Sequence, residues 1–278
     1  MFRYTKFTLL REILVWIFAL FMLLPLYLLI NNSLKDAISA ITNPIGLVTN
    51  PDFSNFQTVL ESTYAGNLPL GMLNSFIITA VGVCILIAFG SVTAYVIARR
   101  TSRLSKVTFY MILIGIVVPA QLGIVPIYVF ARSIGLLGSV WGLGIIYGMM
   151  LMPLSVFLYS GFVRSIPTDY EEASFIDGSS RFNTFRKIVF PLLSPATGTV
   201  AILGGIIMWN DFFTPLIFLN NSESPTIALV VYAYAGNPVF VEWNLVFALL
   251  ILAMIPITIL YLIFQKRFIQ GFSGGIKS

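Results

Sequence analysis

The sequence predicts an all-α integral membrane fold: six transmembrane helices, with one short polar helix in the connector between the fourth and the fifth. Three observations carry that reading. The 278 residues are 58% hydrophobic and only 10% charged, where a soluble domain carries about 25% charged residues, and the mean hydropathy is +0.94. Uncharged runs recur at the length a helix needs to cross a bilayer, about 20 residues. The basic residues gather in alternate connectors, the bias that sets membrane topology.

The first run, residues 13–32, holds 20 residues without a charge. Arg3, Lys6 and Arg11 before it give a superficial likeness to a secretory signal. The run is longer than a signal's apolar region and no small-residue cleavage site follows, so it is expected to stay as the first span, kinked at Pro25. A polar loop rich in Asn, Pro, Thr and Ser follows over 33–70. No charge occurs between Ser62 and Ala98, too long a stretch for one upright span; Pro69-Leu70-Gly71 marks the expected break, and the second span is 72–98. Arg99, Arg100, Arg103 and Lys106 form a basic connector. The third span, 107–131, carries Pro119, Gln121 and Pro126, which should break it. After a tight turn, the fourth span covers 139–162, where Gly144 and Gly148 make a small-xxx-small pair suited to helix packing. The fifth is 188–213, an outer loop is expected over 214–242, and the sixth span is 243–265. A short Gly-rich tail ends the chain. The longest polar segments are too short to fold alone, so residues 1–278 read as a single transmembrane domain.

Charge placement orients this map. Of the 16 Lys and Arg, 14 fall in the N-terminus, the second and fourth connectors and the tail. Lys35 and Arg132 alone lie on the opposite side. Both termini and the 165–187 connector are therefore expected in the cytoplasm. Topology accounts for the net charge of +5 without nucleic acid. His is absent and Cys84 is the one cysteine, which excludes imidazole acid–base chemistry, multi-Cys metal sites and an internal disulfide. Neither G-x-x-x-x-G-K-[ST] nor G-x-G-x-x-G occurs, so the chain binds no nucleotide through those loops and is not expected to be an enzyme.

The fourth connector reads SIPTDYEEASFIDGSSRFNTFRKIVFP over 165–191. Thr168 and Glu171 stand in capping-box spacing, predicting a helix from Asp169 to Asp177 with Glu171 folded back onto its start. Glu172 should point outward, because adjacent helical side chains diverge by about 100°. Gly178 suits the left-handed position after a helix, and Ser179 or Ser180 can cap a second short helix. So short a helix is marginal alone and needs a surface to dock on.

These residues resemble the EAA motif of ABC-importer permeases, E-A-A-x3-G-x9-I-x-L-P. It is matched here by Glu172-Ala173-Ser174, Gly178, Ile188, Phe190 and Pro191, with Ser174 and Phe190 departing from the pattern. The resemblance extends over nearly the whole chain, including Asn32-Ser33-Leu34-Lys35, Pro119 to Pro126 and the tail, and is to the smaller permease subunit of carbohydrate-type importers. It implies a type I importer permease fold in a prokaryotic plasma membrane. It also implies that Glu171, Glu172, Ala173, Ser174, Asp177 and Gly178 form a coupling helix on a separate ATPase. The implied partners are a homologous second permease, an ATPase dimer holding the ATP and Mg, an external solute-binding protein, and a sugar or oligosaccharide substrate, all within membrane lipid and with no nucleic acid. By the same resemblance the tail residues Gly274, Gly275 and Lys277 reach the ATPase; a disordered end is the other reading. Asn210 and Asp211 look like a segment facing the translocation cavity, although an interface anchor is the simpler role for Asp211. Gln121 is a pathway candidate or a helix-satisfied amide. An ABC permease for another solute, or an ion-coupled carrier using Asp211 or Glu61, stays open at this point.

Overall fold

A computed structural model of the chain describes residues 6–62, 67–219, 223–236 and 241–274, and among these there are helices and turns but no strand. Among the described residues three helices are long and apolar enough to cross a membrane, over Thr8–Ser33, Leu68–Arg99 and Trp243–Ile263. Three further helix pairs pass the same test together while bent at a short break, and counting each pair as one span gives six. The structure divides into two units, residues 1–69 with 230–255, and 70–229 with 256–278.

The first unit starts with α1 (Lys6–Ser33), which runs through Pro25. From Leu9 to Leu26 its side chains, Ala19 apart, are exposed on every side, with Trp16 at 71% and Phe21 at 66%, the condition of a helix that meets lipid. Two short helices follow. Asp36 caps α2 (Ala37–Thr42) by accepting from the Ile38 and Ser39 N–H groups, and α3 spans Ser54–Glu61. Buried Asn55 donates to the Ser33 and Lys35 carbonyls at 2.9 and 2.8 Å and accepts from Asn244 at 2.8 Å.

The second unit holds the main core, built from Ile78, Leu86, Leu143, Tyr159, Val189 and Val200 among others. Helix α4 (Leu68–Arg99) begins before Pro69, so the proline sits in the first turn, where its missing N–H costs nothing, and the break expected there does not occur. The small-residue pair of α7 (Val140–Met150) lies against it. A Cβ on Gly144 would come 2.8 Å from Val81 Cβ, and one on Gly148 would come 2.6 Å from Ile85 Cγ2. Close backbone approach is thus the reason for both glycines.

The bent spans have local causes. In the third, α5 (Arg103–Val117) and α6 (Ile124–Ser133) meet at 99° through a 3-10 turn, Ala120–Gly123. Val118 is extended at ψ 121°, as a residue before proline tends to be. The fourth bends by 50° between α7 and α8 (Met152–Ser165), with Pro153 in the first turn. The fifth bends by 72° at Leu193, ahead of α12 (Ser194–Asn210) with Pro195 in its first turn.

Two further expectations are corrected. The segment 214–242 is not simply a loop: α13 (Phe213–Phe218) runs into it and α14 (Ile227–Ala235) lies within it. The start of α14 is tied down where Ser75 Oγ accepts from the Ile227 N–H at 2.9 Å and Asn74 donates to the Pro225 carbonyl at 2.9 Å. The last helix, α15 (Trp243–Gly274), continues through the basic residues into the expected tail. Gly274 ends that helix, and Gly275 and Lys277 lie outside the described residues.

Candidate functional site in the fourth connector

The connector folds into α9 (Asp169–Ile176), then α10 (Arg181–Thr184), a π turn at Phe185–Val189 and α11 (Phe190–Leu192). Asp169, Glu171 and Glu172 occupy the first turn of α9, where acids complement the helix dipole. The end of α9 follows the sequence closely. Gly178 has φ +80°, its N–H bonds the Phe175 carbonyl at 3.0 Å, and the Ser179 N–H bonds the Ser174 carbonyl at 3.0 Å, which together make a Schellman ending. Ser180 caps α10 on the Asn183 N–H. Pro191 lacks an N–H to bond back into the preceding turn, and the π turn lies just ahead of it.

The beginning of α9 does not follow the capping-box reading. Thr168 has helical φ/ψ and its side chain makes no cap. Glu171 instead turns inward, to 6% exposure, and pairs with α4. Its Oε1 accepts from Arg99 Nε at 2.7 Å and its Oε2 from the Tyr95 hydroxyl at 2.8 Å. The same guanidinium donates through Nη2 to the Ile166 carbonyl at 2.9 Å. A carboxylate with a charged partner and a phenol outcompetes a lone cap N–H, because charge-assisted bonds are the stronger ones.

Two more attachments hold the helix. Buried Ser174 bonds Thr184 at 3.0 Å between hydroxyls, and Thr184 donates in turn to the Ser180 carbonyl. The serine that stands where the motif has its second alanine is therefore satisfied by a threonine ten residues on. The Phe185 ring lies 5.1 Å from Tyr95 and 5.9 Å from Phe190, centroid to centroid. Together these fix α9 by one face. The other face is open: Tyr170, Glu172, Ala173, Phe175, Ile176, Asp177 and Gly178 are exposed, with Ile176 at 86%. Beside it opens a cavity of about 650 Å³ lined by Val92, Val96, Arg100, Thr168, Glu172 and Phe182 among others. An eight-residue helix with a pinned inner face and an acidic, aromatic outer face can seat on a second protein and pass its movement to α4.

Residues 86–274 match the binding-protein-dependent transport system inner membrane component family. The chain belongs to this family. The permease is 35% identical over 270 residues to the multiple sugar-binding transport system permease protein MsmG of Streptococcus mutans, covering 95% of each chain. It is 34% identical over 256 residues to the melibiose/raffinose/stachyose import permease protein MelC of Bacillus subtilis, covering 91% of this chain and 90% of that one. Its fold is that of a chain from the crystal structure of a bacterial ABC transporter involved in alginate import, with a TM-score of 0.82, 24% identity, and 96% and 100% of the two chains covered.

The pathway candidates lie at the break of the third span and at the end of the fifth. Gln121 is exposed in the 3-10 turn of the third span. Asn210 is exposed at the end of α12 and donates to the Ile206 carbonyl of its own helix at 2.9 Å. Among the described residues no hydrogen bond joins Gln121 to Asn210 or Asp211. Asp211 is half-buried at the corner between α12 and α13 and engaged on both oxygens. Oδ1 accepts from the Phe213 and Thr214 N–H groups. Oδ2 accepts from the Thr214 hydroxyl and from Tyr147 at 2.8 Å. This is the work of a corner anchor. Sequence reading missed Tyr147 as its partner, and also Tyr95 and Arg99 as the partners of Glu171. The one available signal was a tyrosine within an otherwise apolar run, or an arginine at its end.

Proposed function

We propose that this permease forms half of the translocation pathway of an ATP-driven importer for a sugar or oligosaccharide. A homologous second permease forms the other half. ATP and Mg sit on a separate pair of ATPase subunits, and an external solute-binding protein delivers the cargo. The permease lies in a prokaryotic plasma membrane with several spans and with both termini and α9 in the cytoplasm, as the charge bias supports. The sugar relatives support the cargo class.

The observation that carries the reading is the two-faced α9, held to α4 by Glu171, Arg99 and Tyr95 while Glu172 stays exposed. Closure of the ATPase pair on ATP carries α9 with it. The ion pair and the Ser174–Thr184 contact pass that displacement into the spans, and the pathway opens outward to receive sugar. Hydrolysis restores the inward state. Glu172, Ala173, Asp177 and Gly178 act at the ATPase surface, and Glu171 and Ser174 act behind it. Asp211, with both oxygens committed, is not placed to exchange a coupling ion.

The test is co-purification from the native membrane, followed by ATP hydrolysis assays with candidate sugars and the co-purifying binding protein. The expected result is a four-subunit core whose ATP hydrolysis rises with a sugar-loaded binding protein. Solute uptake by the isolated chain, indifferent to ATP, would refute it.

A further inference from the structure

The connector after α1 makes an unusual excursion. It leaves α1 at Ser33, forms α2, and then bends back along the helix it came from. The Tyr27 hydroxyl donates to the Ile45 carbonyl at 2.7 Å. Asn31 donates to the Gly46 carbonyl at 2.8 Å and accepts from the Val48 N–H at 2.9 Å. Asn32 donates to the Pro44 carbonyl at 3.0 Å, and the Asp52 N–H reaches the Leu34 carbonyl at 2.8 Å. The partners run from Asn32 down to Tyr27 and back up to Leu34, so Ile45 is the lowest point of the bend. Tyr27 lies six residues before the end of α1, about 9 Å along a helix axis, and within the segment long and apolar enough to span.

We propose that this bend, residues 43–48, is immersed in the lipid leaflet around the Ser33 end of α1, with Ile45 and Leu47 among the acyl chains. On the charge bias that leaflet is the outer one. The inference rests on α1 crossing the membrane and not on the cargo or the ATPase.

Two further observations support it. Irregular backbone survives at membrane depth only where its polar groups find partners within the protein. Here the carbonyls of Asn43, Pro44, Ile45 and Gly46 all accept side-chain bonds, and the Gly46 N–H bonds Asn43 Oδ1. A bend in water would need no such provision. Lys35 serves the same end: it is 4% exposed, its ammonium lies 2.6 Å from the Asn43 carbonyl and 3.3 Å from that of Pro44, and burial lowers its pKa from the ordinary lysine value. The outward surface is mainly aliphatic, with Ile45 71%, Leu47 76%, Ile38 71% and Ile41 46% exposed; Thr42 and Asn43 are exposed too, and bond the Ile38 carbonyl and the Gly46 N–H. It continues the exposed apolar side chains of α1, where Leu23, Leu26 and Ile30 are 54%, 45% and 47% exposed.

Spin labelling of the full chain tests this, in the assembly that purifies with it, reconstituted into phosphatidylethanolamine–phosphatidylglycerol vesicles. Cys84→Ala removes the one native thiol, and labels are placed by Ile45→Cys and, separately, Leu47→Cys. Leu20→Cys in mid-α1 is the lipid reference and Gln57→Cys on α3 the water reference. Immersion predicts collision with oxygen several-fold above collision with a water-soluble nickel chelate at 45 and 47, close to the Leu20 ratio. A ratio like that of Gln57 would put the bend in water and overturn the proposal. Low accessibility to both reagents would mean that a protein partner covers it, and would overturn it equally.

Discussion

Two polar connectors, residues 33–62 after α1 and 165–187 after α8, face the same problem and solve it differently. Each contains a helix too short to be stable alone, six residues in α2 and eight in α9. Each is fixed to a longer helix by side-chain bonds. The first uses amides and a buried lysine on backbone carbonyls and turns isoleucine and leucine outward. The second uses a carboxylate between a guanidinium and a phenol and turns Glu172, Tyr170 and Phe175 outward. On the two proposals above, inward bonds hold each connector in place and the outward face meets its neighbour, although α9 also turns an aliphatic side chain, Ile176, outward. Aliphatic side chains suit lipid, whereas an acid among aromatics suits a protein surface.

The sharpest way to break this comparison is to separate the two adjacent glutamates. Glu171→Ala leaves Arg99 without its partner, and losing one side of a buried pair costs about 3 kcal/mol. The purified complex should therefore unfold at a clearly lower temperature, and Arg99→Ala should do the same. The double variant should fall short of the two effects summed, because the residues are coupled. Glu172→Ala changes an exposed side chain and should shift stability by less than about 0.5 kcal/mol. Equal losses for Glu171→Ala and Glu172→Ala would erase the distinction between inner and outer face.

A smaller effect is expected from Lys35→Ala, which strips a donor from the Asn43 and Pro44 carbonyls at about 1–3 kcal/mol. Protease cleavage between 43 and 48 should rise, while ATP hydrolysis per sugar imported should not change. Smaller again is Gly178→Ala. A side chain at φ +80° costs about 1 kcal/mol, and uptake should fall modestly through a loosened end of α9. Smallest is Ser174→Ala, which restores the family's alanine and removes one hydrogen bond worth about 1 kcal/mol or less. Uptake should be retained, with a slight loss of thermal stability.

The parts of the fold legible in the sequence were those fixed locally. Uncharged runs of bilayer length marked the spans, Pro119 marked the bend of the third, and Gly178 and Ser180 marked where one short helix ends and the next begins. The Gly144–Gly148 pair marked the close approach of α7 to α4. What stayed hidden depends on partners far along the chain. Glu171 fits a capping box by spacing, but Arg99 and Tyr95 lie more than seventy residues away and take the carboxylate. Helix α15 outlasts its apolar run because hydropathy measures the thickness of the membrane rather than the length of the helix. The helices within 214–242 were obscured by their length, since α13 has six residues and α14 nine. The candidate site was legible as a motif, and the outward direction of Glu172 as a helix angle, yet the partners that hold Glu171 needed three dimensions.

The most direct measurement of the central claim is coupled uptake and ATP hydrolysis by the reconstituted complex carrying Glu172→Lys. If the open face of α9 is the seat for the ATPase, reversing that charge should abolish sugar uptake while leaving the thermal stability of the permease chain unchanged. Normal uptake by this variant would contradict the account.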